Sequence, residues 1–322
     1  MVKNSPYHIY FCCNNASYAR HYVVLMASIL ANLKKEARAH FHLIYSGLSQ
    51  NDLDAFAQMK QVRDCDIEFI QIHESDFSSW TQTAGVRHLT VGAYYRIRIP
   101  EYAPKDVSRA VYFDGDIVVD GDISPMWDID LDGYCVGVVS NGPNNFRKIP
   151  ESDRYFNSGV ILFNLDAIRK TDFRREVDEA YEKSDNGFGD LDQGLLNAAL
   201  KGRVRFIPFC WNTQTAFLKI KNKFKYKLWT HFKKPVVIHY TNAYKPWSPR
   251  CRNPLWRKYY KYLSLTPYRI SRFEYFRFSL LHTALQLFYA ERNESVEDTW
   301  RVQFLFWFQF NLRLKNKGRV AV

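Results

Sequence analysis

The 322-residue chain has no run of about 18–20 uncharged apolar residues, so no segment reads as a membrane-spanning helix. Its amino terminus, MVKNSPYHIYFCC, enters strand-like sequence at once, without the basic start, apolar run and cleavage site of a secretory signal. Cysteine occurs six times (Cys12, Cys13, Cys65, Cys135, Cys210, Cys251) but never as C-x-x-C. That scatter fits neither a disulfide framework nor a zinc site, and several of the cysteines sit in apolar runs as small hydrophobes. The expectation is a cytosolic protein with reduced thiols. Internal repeats and low-complexity linkers are also missing.

What is present is an apolar fraction of 47% and an aromatic fraction of 16%, enough for a sizeable core. The length suits one large α/β domain, or one domain with an appendage. Charge is uneven. From Arg250 onward there are 14 Lys and Arg against 5 Asp and Glu, so +9 of the total +12 lies in the last quarter. A basic tail of this kind calls for an anionic partner, either nucleic acid or an anionic membrane face.

Along the chain, YHIYFCC (7–13), FHLIYSG (41–47) and IEFIQI (67–72) read as strands. Helical patterns through YVVLMASILANL and NDLDAFAQMKQV separate them, an alternation that predicts a largely parallel, doubly covered sheet. VGAYYRIRIPEYAP reads as a short helix ending near Pro100. RAVYFDGDIVV reads as the next strand, followed by CVGVVSN and FNSGVILFNL. DLDQGLLNAALKG reads as a helix with acids at its start and Gly202 at its end. VRFIPFCWN and VVIHYTNAYKPW close the globular part, and Thr266-Pro267 marks a boundary. Beyond it, bulky aromatics alternate with Arg and Lys, and in FEYFRFSLLHTALQLFYA the large apolar residues recur every three or four positions.

The chemistry-bearing stretch is VYFDGDIVVDGDI (111–123). In an extended segment, side chains two apart share a side, so Asp114 and Asp116 could offer two hard oxygens to one divalent cation. Gly115 between them leaves room for close approach. Asp-Gly at a strand end is equally a turn. Asp120 and Asp122 repeat the spacing, but Gly121 and the following Ser-Pro favour an exit turn. His239 ends an apolar strand, where α/β folds bind ligands, and Lys245-Pro-Trp follows six residues on. Imidazole with two carboxylates suits Mn²⁺ better than Ca²⁺. Asp192 and Gln193 sit near a helix start, where an acid also simply stabilises the first turn.

In consistent order from Tyr7 to about Trp247, these pieces resemble glycosyltransferase family 8, the retaining α-glycosyltransferases of GT-A fold. VYFDGDIVV resembles the family's D-x-D strand and FNSGVILFNL its F-N-x-G-V-x-x-x-N-L segment. DQGLLN resembles D-Q-x-x-L-N, and IHYTNAYKPW resembles I-H-Y-x-G-x-x-K-P-W. The resemblance is greatest to bacterial enzymes that add glucose or galactose to lipopolysaccharide cores. It implies an α/β GT-A fold over 1–250, a Rossmann-like mixed sheet covered by helices. Residues 251–322 are then a basic, aromatic-rich helical extension for membrane or acceptor association.

The resemblance also implies roles. Asp114, Asp116 and His239 become ligands of Mn²⁺, or of Mg²⁺ in its place, bound to the diphosphate of a UDP-sugar. Lys245 contacts that diphosphate and Arg96 approaches the donor. Asn157 and Ser158 line the sugar pocket, and Asp192 binds the sugar hydroxyls. Gln193 lies beneath the anomeric carbon, with Cys12, Asn14, Gly115 and Asn242 completing the donor site. A neutral amide is a poor nucleophile, so retention points to front-face attack rather than the two-carboxylate route, with Asp192 the alternative nucleophile.

This chain departs from the pattern where relatives carry an acid and it has Asn14-Asn15, and where they carry a glycine and it has Asn242. Ser140 and Asn141 stand where relatives often place an acid facing the acceptor. The expected partners are a UDP-hexose, a lipid-linked saccharide acceptor and an anionic membrane surface, without nucleic acid, since no nucleic-acid-binding motif accompanies the charge. The expected location is the cytoplasmic face of a bacterial inner membrane. The competing readings of the tail are an interfacial helix and a helix packed on the catalytic domain. The competing reading of the whole chain is a non-enzymatic, membrane-associated scaffold on a degenerate transferase fold.

Overall fold

The computed structural model describes residues 5–73, 91–142, 154–184, 192–218 and 234–290. The aromatic, basic stretch 301–317 singled out from sequence lies outside these residues. The chain divides into two compact units. The first is built from Met1–Pro246 with Asn253–Ile270, the second from Trp247–Arg252 and the segment from Ser271 onward.

In the first unit, strands β1 (Tyr7–Cys13), β2 (Ala39–Tyr45), β3 (Asp66–Gln71), β4 (Arg109–Phe113), β6 (Val136–Ser140), β7 (Phe156–Asn164) and β8 (Val204–Phe206) form one sheet. Their order is β3-β2-β1-β4-β7-β6-β8. The pairs β3/β2, β2/β1, β1/β4 and β6/β8 are parallel, while β7 runs antiparallel between β4 and β6. The sheet is therefore mixed. Its strands alternate between two buried clusters, with Ile9, Phe11 and Cys13 facing one and Tyr10 and Cys12 the other.

Helix α1 (Ala16–Asn32) covers the first face. It begins well before the apolar run that marks it in sequence, because the Asn15 side chain accepts the Ser17 N–H at 2.9 Å and caps the amino terminus. From His21 to Leu30 every residue of α1 is buried. A helix apolar all round needs cover on both sides, and helix α5 (Trp256–Leu263) supplies the second: Tyr259 Oη lies 2.7 Å from His21 Nδ1 and Tyr262 Oη 2.8 Å from Asn32 Nδ2. Helices α2 (Gln50–Ala57), α3 (Phe173–Glu182) and α4 (Asp192–Ala199) complete the layers, and Gly202 turns the chain after α4 at φ 78°.

Two readings change in detail. The helix expected to end near Pro100 is a 3₁₀ segment (Val91–Arg98) running into a short α turn (Ile99–Tyr102), with Pro100 in its first turn, where a missing N–H costs nothing. RAVYFDGDIVV is two strands. The chain leaves β4 at Phe113, turns through Asp114-Gly115-Asp116 and re-enters as β5 (Ile117–Val119). With β9 (Thr213–Gln214) and β10 (Val237–His239), β5 forms a separate three-stranded sheet in the order β5-β10-β9.

The second Asp pair is structural. Asp120 binds Lys258 Nζ at 2.6 Å, Lys261 Nζ at 3.3 Å and Tyr262 Oη at 2.6 Å, pinning α5 beside β5. Asp122 closes a local turn on Ser124. In the second unit, helix α6 (Arg272–Ala290) turns Ser279 and His282 inward, and His282 Nε2 lies 2.8 Å from Cys251 O. All six cysteines are buried, and none is joined in a disulfide.

Candidate active site

β4 delivers Asp114 and Asp116 on a turn, and β10 ends in His239 beside them. The register of the small sheet explains the meeting. His239 pairs with Ile117 and Tyr240 N donates to Asp116 O at 3.0 Å, so the end of β10 is laced to the start of β5. One ligand atom from each of Asp114, Asp116 and His239 lies within 4.8 Å of the others. His239 Nε2 is 3.0 Å from Asp116 and 3.8 Å from Asp114. Turn and ligand cluster are thus the same structure.

The surroundings fix each group. Arg96 is buried and splits its guanidinium between Asp114 (Nη1–Oδ1 3.0 Å) and Asp192 (Nε–Oδ2 3.1 Å), stacking 4.7 Å from the Tyr112 ring. Tyr112 Oη donates to Asp114 Oδ1 at 2.5 Å. Lys245 Nζ sits 2.6 Å from Asp116 Oδ2 and 2.8 Å from Tyr240 O. Burial opposes ionisation of Asp116, but His239 and Lys245 outweigh it and hold its carboxyl far below the usual range. Burial also raises Asp192, to about 6; Arg96 opposes this rise and Asp114 adds to it. Three carboxylates against Arg96 and Lys245 leave one surplus negative charge, a deficit that a divalent cation reverses and an anionic diphosphate then restores.

A chain of amides runs from this cluster to Gln193. His239 Nδ1 donates to Asn212 Oδ1 (2.9 Å), and Asn212 Nδ2 donates to Asn157 Oδ1 (2.9 Å). Asn157 Nδ2 in turn donates to Gln193 Oε1 (3.0 Å), which also accepts from Ser158 N (3.2 Å). With Nδ1 held by Asn212, Nε2 is the ring nitrogen that faces Asp116 and Asp114, and a cation bound there would take its lone pair in place of the Asp116 contact.

One cavity of about 300 Å³ is lined by Arg96, Asp114, Asp116, Asn157, Ser158, Asp192, Gln193, His239 and Thr241. Eight residues expected from sequence therefore meet in one place. Lys245 touches the cluster through Asp116 without lining the cavity. Cys12, Asn14, Gly115 and Asn242 do not line it either. Burial drives the Cys12 thiol well above its usual pKa, and its carbonyl accepts the Tyr22 hydroxyl at 2.6 Å. Asn14 and Asn242 are half-buried at the ends of the flanking elements. At Gly115 a Cβ would stand 2.7 Å from the Tyr22 ring, a packing reason for glycine beside the one read in sequence.

Sequence reasoning missed Tyr112, Asn212, Thr241 and Gly159. A Cβ on Gly159 would overlap the His239 ring and reach within 2.6 Å of Asp114 Oδ2, so both ligands rest against its bare Cα. FNSG carried that signal; an isolated Asn212 after FCW carried none.

A mixed α/β sheet whose strand edge presents paired aspartates and a histidine to a polar cleft defines the class as a GT-A glycosyltransferase. The description of Glycosyl transferase family 8 matches residues 8–251, and the chain belongs to that family. It is 28% identical over 278 residues to general stress protein A of Bacillus subtilis, covering 83% of this chain and 96% of that one. It is 31% identical over 180 residues to the lipopolysaccharide 1,2-glucosyltransferase of Escherichia coli, covering 52% of each. Among solved structures it resembles the galactosyltransferase LgtC in complex with donor and acceptor sugar analogs, with a TM-score of 0.68 at 25% identity, spanning 82% of this chain and 98% of that one. Glycosyltransferases of this fold use a nucleotide-sugar donor, a divalent metal and a saccharide acceptor.

Proposed function

We propose that the protein is a Mn²⁺-dependent retaining hexosyltransferase that moves glucose or galactose from a UDP-sugar to a lipid-linked saccharide, such as a lipopolysaccharide core. The observation that carries this is the convergence of Asp114, Asp116 and His239 with Arg96, Asp192 and Gln193 in one cavity. The residues fit a metal: two hard oxygens, one imidazole with its proton held away by Asn212, and a glycine floor that leaves the ligands room. Bound there, Mn²⁺ or Mg²⁺ would neutralise charge on the departing diphosphate.

The rest falls to the chain's own side chains. Lys245 supplies a fixed positive charge beside Asp116 for the leaving UDP. Arg96 locks Asp114 and Asp192 in place, so that Asp192 accepts hydrogen bonds from the donor sugar. Gln193, its oxygen already taken by two donors, is a weak nucleophile and supports the sugar from below. The bond from the anomeric carbon to the diphosphate oxygen breaks, the acceptor hydroxyl closes on the same face, and its proton passes to the departing phosphate oxygen. Configuration is kept without a covalent enzyme intermediate.

Helix α6 supports a membrane-borne acceptor. Among its described residues the buried positions are Ser279 and His282, with Tyr275, Phe278 and Leu285 half-buried, while Phe273 is 67% exposed, Leu281 51%, Leu280 49% and Phe276 46%, with Arg272, Glu274 and Arg277 beside them. Four large apolar side chains exposed among cations are unusual for a solvated helix and match an interfacial one. No helix of the described residues is long and apolar enough to cross a membrane. The deciding experiment is UDP release from a panel of UDP-sugars with Mn²⁺ and then with EDTA, followed by NMR of the product's anomeric configuration. Metal-dependent turnover of one UDP-hexose with retention is expected. Neither turnover nor UDP-sugar binding would move the reading to a scaffold on a transferase fold.

A further inference from the structure

A second cluster of metal-ligating groups lies on the main sheet, away from the donor cavity. The parallel register sets His8 of β1 beside His40 of β2, and strand alternation puts His42 on the same face two residues on. One ring nitrogen from each of the three lies within 4.8 Å of the others. His8 Nδ1 is 2.9 Å from His42 Nε2, and the His40 ring stacks on His42 at 4.2 Å. β3 adds Glu68, the register partner of His42, whose Oε2 accepts the His42 Nδ1 proton at 2.6 Å. The Tyr10 ring is also stacked on His42, at 4.3 Å.

We propose that His8, His40 and His42 form a second metal site that binds a borderline divalent cation of the Zn²⁺ class, with Glu68 as the outer carboxylate orienting His42. Two features carry the assignment. The donor set is all imidazole nitrogen, which suits Zn²⁺, Ni²⁺ or Cu²⁺ and disfavours Mg²⁺ and Ca²⁺. The Glu68–His42 contact is the carboxylate–histidine arrangement that fixes a ligating tautomer, leaving Nε2 of His42 for the cation. His8 and His40 are half-buried, which gives the ion a way in.

On binding, the His8 Nδ1–H bond to His42 Nε2 gives way. His8 moves its proton from Nδ1 to Nε2, so no net proton is released and both facing nitrogens present lone pairs. Nitrogen–metal distances of about 2.0–2.1 Å put tetrahedral ligands roughly 3.3 Å apart, so the closest pair opens slightly and the widest closes. The ion ties β1 to β2 and stabilises the fold by mass action. The two sites differ in donor set: Zn²⁺ suits both, whereas three nitrogens disfavour the Mn²⁺ that two oxygens and one nitrogen accept.

The test is calorimetric titration of the metal-stripped full chain with Zn²⁺ alone. The parent should take two equivalents. Asp114→Asn with Asp116→Asn should keep the one at the histidines, and Co²⁺ in that protein should give intense visible bands. His40→Gln should weaken the second equivalent at least about tenfold. His40 joins the cluster by ring contacts, so circular dichroism should show this variant folded, and His8→Asn repeats the test from the other strand. If the double Asp variant does not fold, the parent and His40→Gln are compared directly, two equivalents against one. Isotherms unchanged by both histidine variants, or a folded double Asp variant that takes no Zn²⁺, overturn the assignment.

Discussion

At the scale of single residues, the site is built on competition for a few buried charges. Arg96 serves two carboxylates, and Asp192 is the one left under-compensated, with its carboxyl raised from 3.8 to about 6. Between those two pH values the native protein holds a proton that the unfolded chain has lost, so this group makes stability fall as pH rises through the window. Asp192→Asn should therefore gain about 1–3 kcal/mol over the metal-free parent between pH 4 and pH 7 while losing donor turnover. Urea midpoints at the two pH values check this, and parallel curves for both proteins would refute it. Asn212 makes a second prediction. It is fully buried and hands the His239 tautomer on to Asn157. Asn212→Leu should cost about 10–100-fold in metal affinity, measured as the Mn²⁺ concentration for half-maximal UDP release, with a smaller effect on saturated turnover.

At the scale of elements, the turn that carries Asp114 and Asp116 works because β4 and β5 belong to different sheets. The paired aspartates were legible in VYFDGDIVV, as were the strand that brings His239 and the helix that starts at Asp192. The break between β4 and β5 was not. Val119 pairs with Val237, more than a hundred residues away, and no local pattern encodes a partner at that distance. The same limit hid Asn212, whose two contacts are to residues 27 and 55 positions off. Asp120, by contrast, read as structural and is structural, anchoring α5 through Lys258, Lys261 and Tyr262. Asp120→Ala should lower stability by about 2 kcal/mol, since it strands partly buried partners. It should also leave the metal dependence of turnover unchanged. A chemical denaturation curve beside a Mn²⁺ titration separates this from Asp116→Ala, which should abolish turnover.

At the scale of the whole molecule, the +12 charge is not one feature. Lys258 and Lys261, counted from sequence as part of a basic tail, are spent on Asp120 inside the first unit. Arg272 and Arg277 lie in the second unit on a helix whose exposed face is Phe273, Phe276, Leu280 and Leu281. A solvated surface seldom groups four large apolar side chains in this way, and none of them lines the donor cavity. If it meets lipid, charge and apolar area should contribute separately, with added salt weakening attraction to anionic vesicles and leaving the apolar part intact. Phe276→Asp with Leu280→Asp should cut binding to phosphatidylglycerol-containing vesicles by at least about tenfold, as the transfer cost of two large side chains implies. UDP release to a soluble acceptor should be unaffected, because α6 supplies no residue to the cavity. Flotation assays at low and high salt measure the first, and a coupled UDP assay the second. Vesicle binding unchanged by the double variant would assign the exposed face to something other than a membrane.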